Sequence, residues 1–209
     1  MIADQTACLH PMTSVHRENS LRLAGSVVSI GSFDGVHKGH QALLRALSRA
    51  AAARGVASVV YTFDPPPKVV FGKALLLTDA VEKLRRISHF GIDHVVMARF
   101  DAEYAARPPE DFLRELAQLS PREVWVGDDF RFGARRAGDV TLLERNFRVR
   151  VIDEFTCAGG DRVSSTRLRA LFAAGCVEDA QELHGWPRNA PWAVTSISER
   201  QAREMDKRL

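Results

Sequence analysis

Residues 1–25 show no clear alternation of apolar and polar positions and read as a leader of uncertain order. The pattern changes at Ser26. Residues 26–30 form a short β-branched run that ends at Gly31, and from Gly39 the apolar positions Leu43, Leu44, Leu47, Ala50 and Ala51 recur at helical spacing until Gly55. A second β-rich run, 56–63, stops at Asp64 and three prolines, which lack the N–H that a central strand must donate. Beyond that loop the pattern predicts helices over 79–90 and 108–119 and strands over 93–100 and 123–126. A short helix over 141–146, a strand over 147–155, a helix capped by Ser164 or Ser165 and running through Phe172, and a helix over 177–183 complete the series. Such alternation predicts an α/β fold, a Rossmann-like, doubly wound and mainly parallel sheet with helices on both faces. Ligands in these sheets bind beyond the carboxyl ends of the strands, where each motif described below falls.

Composition narrows the class. A chain of 209 residues, 45% hydrophobic and 26% charged, suits one globular domain, expected over 26–185 between the leader and a tail of 186–209. The formal charge of +3 is spread along the chain, mostly as arginine, which suits an anionic small substrate. No RNA- or DNA-reading motif is present, so no nucleic-acid partner is expected; protein partners are left open. Cys8, Cys157 and Cys176 are odd in number and widely spaced, forming neither a zinc pattern nor a disulfide framework. With no basic start followed by an apolar stretch, and no run of about 18 apolar residues, the expected location is the cytoplasm, away from membranes.

After the first strand comes Gly31-Ser32-Phe33-Asp34-Gly35-Val36-His37-Lys38-Gly39-His40, with two histidines three residues apart at the opening of a helix. Both rings can face one ligand. The unpaired N–H groups and dipole of a helix start favour a phosphate, and Gly31, Gly35 and Gly39 let the backbone approach it closely. Phosphoryl and nucleotidyl transfer depend on positioning and charge stabilisation, for which imidazole donors are suited. A helix cap and a surface residue would give the same pair, whereas a zinc site would need a third ligand that is not nearby.

H-x-G-H after a first strand resembles the signature of the nucleotidyltransferase superfamily. The longer string G-x-F-D-G-V-H-x-G-H-Q, through Gln41, resembles more specifically the FAD synthetase module of the bacterial bifunctional riboflavin kinase/FAD synthetase family. Three further stretches follow that family in order. Thr62-Phe63-Asp64-Pro65-Pro66-Pro67 with Phe71 resembles T-F-D-P-H-P and a following aromatic, and implies a flavin site at Phe63, Pro65, Pro67 and Phe71; Pro66 stands where the family commonly has histidine. Gly127-Asp128-Asp129-Phe130-Arg131-Phe132-Gly133 resembles G-x-[DN]-F-x-F-G and adds Asp129 and Phe132 to the flavin residues. Ser164-Ser165-Thr166-Arg167-Leu168-Arg169 resembles S-S-T-x-x-R at a helix start, where hydroxyls, N–H groups and a guanidinium can receive phosphate oxygens.

The resemblance implies an FMN adenylyltransferase that uses ATP and FMN as substrates, with Mg²⁺ accompanying ATP and no metal ligand assigned. It implies catalytic roles for His37, His40, Ser165, Thr166 and Arg169, and nucleotide binding by Gly31, Phe33, Asp34, Gly35, Gly39 and Ser164. Residues 186–209 are too few for the kinase module, which is expected to be missing. Two alternatives stay open: a nucleotidyltransferase acting on another phosphate-bearing acceptor, and a catalytically silent paralogue that binds flavin or nucleotide.

Overall fold

The computed structural model describes residues 13–153, 155–156 and 163–186. Cys8, Cys157, the first twelve residues of the expected leader and residues 187–209 of the expected tail lie outside the described residues. Cys176 is a free, exposed thiol.

Among the described residues six strands form one sheet, and all of its pairs are parallel: β1 (Ser14–His16), β2 (Ser26–Ile30), β3 (Ala57–Asp64), β4 (His94–Arg99), β5 (Pro121–Val126) and β6 (Val149–Val151). Their order across the sheet is β1-β4-β3-β2-β5-β6. The connections run one way from β2 to β3 and β4, then the other way to β5 and β6, so the order reverses at β2, between β3 and β5. In a doubly wound sheet this switch point opens the crevice where ligands bind.

The strands are apolar on both sides because helices cover both faces. On one face Val28, Val59, Tyr61, Val124 and Val126 pack with Phe112 and Leu116 of α5 (Pro109–Ala117) and Leu143 of α6 (Val140–Glu144). On the other, Val27, Val60, Val95 and Trp125 pack with Leu44, Leu47 and Ala51 of α1 (Lys38–Ala53) and Ile87 of α3 (Ala80–Ser88). A smaller cluster joins Leu168 of α7 (Ser165–Ala173) to Ala180 and Leu183 of α8 (Val177–His184), with Leu77 and Val163. Single turns of helix, α2 (Pro67–Val70) and α4 (Ala102–Ala105), follow β3 and β4.

Local chemistry accounts for the helix ends. Asp79, Asp101, Asp139 and Ser164 each accept a backbone N–H from the first turn of the helix they precede, and Pro109 opens α5, where its missing N–H costs nothing. Two differences from the sequence expectation concern the ends of the chain. Residues 14–16, within the expected leader, add β1 to the edge of the sheet, where Ser14 N–H donates to Asp93 O at 2.9 Å. Trp186, the first residue of the expected tail, is buried in the core with Phe90.

Candidate active site

The first motif bridges β2 and α1 at the switch point, and its backbone is unusual. Phe33, Gly35 and Val36 have φ of 47°, 83° and 41°. For a β-branched residue such as Val36 a positive φ is strained, and it persists only where surrounding bonds determine it. Gly35 is required here on two counts, its φ and its packing, since a Cβ would lie 3.1 Å from the Leu77 side chain.

His37 is the N-cap of α1, and its Nδ1 accepts the His40 backbone N–H at 3.3 Å. The two imidazoles stack, with centroids 3.7 Å apart and planes 15° from parallel, and Phe33 tilts against His40 at 5.0 Å. Burial lowers the His37 pKa to about 4, and burial with the neighbouring His37 and Lys83 holds His40 well below its ordinary value. Both rings are therefore neutral near pH 7. With Nδ1 accepting, the proton of His37 resides on Nε2, which leaves that atom as a donor. The buried Nδ1 of His40 has no hydrogen-bond partner, as befits a polar atom kept for a ligand.

Asp34 ties this loop to two other segments. Its buried carboxylate accepts from the backbone N–H groups of Leu77 and Thr78, both from 3.1 Å, and from the guanidinium of Arg169 on α7. Desolvation raises the Asp34 pKa, and Arg169 opposes that shift. Arg169 also donates from Nε to Leu75 O at 2.6 Å, and Ser165 Oγ donates to Asp34 O at 2.8 Å. The structure thus brings the start of α7 against the first loop, as both motifs require. Within that arrangement Asp34 spends its acceptors inside the protein, Ser165 and Arg169 face it, Ser164 caps the helix, and Thr166 is the exposed hydroxyl of the set. Gly39 approaches Phe155 so closely that a Cβ would lie 3.1 Å from it, while Gly31 faces the Phe33 ring at 3.2 Å by the same measure.

The aromatic residues divide by depth. Phe63, at the end of β3, is buried among Tyr61, Phe100 and Tyr104, whereas Phe71 is 55% exposed and sets its ring edgewise to Phe100 at 5.9 Å. Pro65 is exposed and Pro67 opens α2; Pro66, in the position of the family's histidine, is buried as the N-cap of that turn. Asp129 is exposed after β5. Phe132 is buried against Phe112 and packs on Gly138, where a Cβ would lie 2.6 Å from the ring. Its ring supports the loop from within, and the half-buried Phe130 stacks over it at 5.6 Å.

Two basic residues to which the motifs assign no role lie beside the site. Lys83 is fully buried; its Nζ donates to Phe63 O at 2.7 Å, and its charge lies near Asp34 and Asp64. Arg86, also buried, donates to Gly35 O at 2.9 Å and to His184 Nε2 at 2.5 Å, and pairs with Glu82 at 2.6 Å. The available signal was the spacing of Lys83 and Arg86 with Ile87, which places both cations on the apolar face of α3. Among the described residues no three His, Cys, Asp or Glu side chains converge as a metal site, and no helix is long and apolar enough to cross a membrane. A cleft of about 480 Å³ beside Gly91 and Asp93, before β4, contains none of the motif residues.

Comparison with known proteins gives a consistent result. A family model described as FAD synthetase matches residues 20–167. A putative bifunctional riboflavin kinase/FMN adenylyltransferase of Geobacillus thermodenitrificans is 52% identical over 83% of this chain and 97% of its own. The bifunctional riboflavin kinase/FMN adenylyltransferase of Escherichia coli strain K12 is 38% identical over 83% of this chain but 58% of its own, so the present chain spans little more than half that relative's length. An FAD synthetase of Listeria monocytogenes is 32% identical over 83% of this chain and 72% of its own. Among solved structures, a crystal structure described as a macrolide-efflux protein from Streptococcus pneumoniae superposes with a TM-score of 0.72 at 26% identity, covering 84% of this chain and 62% of that one.

Proposed function

This chain belongs to the FAD synthetase family, and on that premise we propose that it joins the AMP part of ATP to FMN, producing FAD and pyrophosphate. The observation that carries the reading is the pair of neutral, stacked imidazoles at the start of α1, His37 buried and His40 half-buried, placed at the switch point of the sheet with the start of α7 drawn against the same loop.

The reaction is a direct displacement. A phosphate oxygen of FMN bonds to the α-phosphorus of ATP while the bond from that phosphorus to the β-bridging oxygen breaks, and its electron pair leaves on pyrophosphate. No covalent enzyme intermediate is needed. His37 Nε2–H and the His40 ring, with the N–H groups at the start of α1, stabilise charge at the α-phosphate. The N-terminal turn of α7, with the Thr166 hydroxyl, receives the departing phosphates, and the remaining guanidinium donors of Arg169 assist while its bond to Asp34 keeps α7 docked. The loop containing Gly31, Phe33, Gly35 and Gly39 shapes the nucleotide pocket. On the flavin side, Phe71 with Pro65 and Pro67 offers an apolar surface backed by Phe63, and Asp129 offers an acceptor from the opposite loop.

Mg²⁺ suits this site as an ion carried by ATP, since magnesium is usually held by one or two carboxylates and the substrate phosphates. Asp64, half-buried at the carboxyl end of β3 with its charge near Lys83, would be the carboxylate to share it. Bound there, the ion would neutralise charge on the leaving group.

The test is to incubate the purified protein with ATP, Mg²⁺ and either FMN or riboflavin, then separate the flavins and read their fluorescence. FAD from FMN is the expected outcome. A folded protein that yields no FAD under any nucleotide and Mg²⁺ condition would overturn the reading.

A further inference from the structure

The strained residues Gly35 and Val36 offer their carbonyl oxygens to donors from three places outside their own loop. Trp186 Nε1 donates to Val36 O at 2.8 Å, and the same carbonyl accepts from Gln41 Nε2 at 3.0 Å. Gln41 Nε2 also donates to His184 O at 2.9 Å, tying the end of α8 to the start of α1. The adjoining Gly35 O accepts from Arg86 Nη1 at 2.9 Å, and Gly35 N–H donates to Thr78 Oγ1 at 3.0 Å. Trp186 is itself fixed: the Arg86 guanidinium lies 5.3 Å from its ring centroid, and His89 and Phe90 meet it edgewise. It reaches this place because α8 ends at Gly185, whose φ of 74° turns the chain back. A Cβ at Gly185 would lie 2.7 Å from the Lys38 side chain, so only glycine lets the end of α8 approach α1 this closely.

We infer that Trp186 is a positioning residue for adenylyl transfer: through its indole N–H it holds Val36 in the left-handed conformation that aims His37 and His40 at the nucleotide. This rests on the function proposed above. It adds a residue 150 positions away from the carbonyl it holds, and 19 beyond the last residue of the family match. Val36 N–H already turns back onto Phe33 O at 3.3 Å, so the loop is closed on itself and its exit into α1 depends on what grips the carbonyls of Gly35 and Val36. When that grip is lost, fewer molecules present the competent loop, and the apparent affinity for the ligand that the loop binds falls in proportion.

The test compares wild type with Trp186→Phe, which keeps an aromatic ring and removes the donor. A single hydrogen bond of this kind corresponds to a loss of about 3- to 10-fold in kcat/KM for ATP, with the KM for FMN unchanged and a folded protein at the assay temperature. A purely structural role would lower the melting temperature and leave the kinetics of the folded protein intact, which would overturn the inference. If Trp186→Phe does not fold, a benzothiophene analogue of tryptophan at position 186, with the same ring outline and no N–H, takes its place. Retention of wild-type kcat/KM for ATP by either folded variant would likewise overturn it. If wild type makes no FAD, the proposed function fails, and calorimetric ATP affinities of the same proteins still decide the inference: weaker binding by the variant supports it, equal binding overturns it.

Discussion

His37 and His40 are chemically useful because they are not charged. Donors from neutral rings place hydrogen-bonding power at the phosphate without the desolvation cost of two buried cations 3.7 Å apart. Removing His40 as His40→Ala is expected to lower kcat for FAD formation by about 100-fold or more, measured by flavin chromatography on a protein whose circular dichroism is unchanged. The same burial sets a pH dependence of stability. His37 is lowered to about 4 and His184 to about 3, from an ordinary 6.5. Between those values the unfolded chain binds protons that the folded one does not, so stability is full above about pH 6.5 and declines as the pH falls. Each ring contributes up to about 1.4 kcal/mol per pH unit within that window. Urea unfolding should show a lower midpoint at about pH 5 than at about pH 7.5, and equal midpoints would contradict the burial of these rings. The histidine pair was legible in the sequence because its chemistry is local, i to i+3 among glycines. Arg86, His184 and Trp186 were not, since they act on the loop from 51 to 150 positions away.

Elements were legible where the chain punctuates itself. β2 occupies the expected residues, and α3 and α7 begin after the Asp79 and Ser164 caps. β1 was illegible for a physical reason: a three-residue strand with Val15 half exposed has no buried face to imprint an alternation, and only its bonds to β4 define it. α3 also departs from a simple amphipathic pattern, presenting Val81 to solvent and Lys83 and Arg86 to the interior. The chemistry of the motif loops was readable, while the division between side chains that face a ligand and those that hold the scaffold was not. Asp34 illustrates the second kind. It joins the first loop, the 77–78 segment and α7 through one carboxylate, so Asp34→Ala strands Arg169 and two backbone donors. The expected loss is about 3–5 kcal/mol of unfolding free energy, measured by denaturant titration, and a loss no larger than that of a surface substitution would show that α7 docks by other means.

For the molecule as a whole, the order β1-β4-β3-β2-β5-β6 places the reacting ends of the central strands in the best-buried part of the sheet. The edges differ: β1 and β6 are three residues each and largely open to solvent. Native-state hydrogen exchange should therefore be slowest in β2 and β3 and fastest, among the strands, in β1 and β6. Mass spectrometry of the corresponding peptides reads this directly, and equal protection at centre and edge would argue against this strand order.

The burial of Trp186 bears on how this catalyst can be cut and transplanted. A fragment ending at residue 167, where the family match stops, would carry both histidines and each of the other motifs apart from Arg169. It would still be without the helix that turns back at Gly185 and the indole that follows it. Anyone grafting the activity onto another protein would do better to count the portable unit by what touches the loop than by where its signatures end, and that unit extends at least through residue 186.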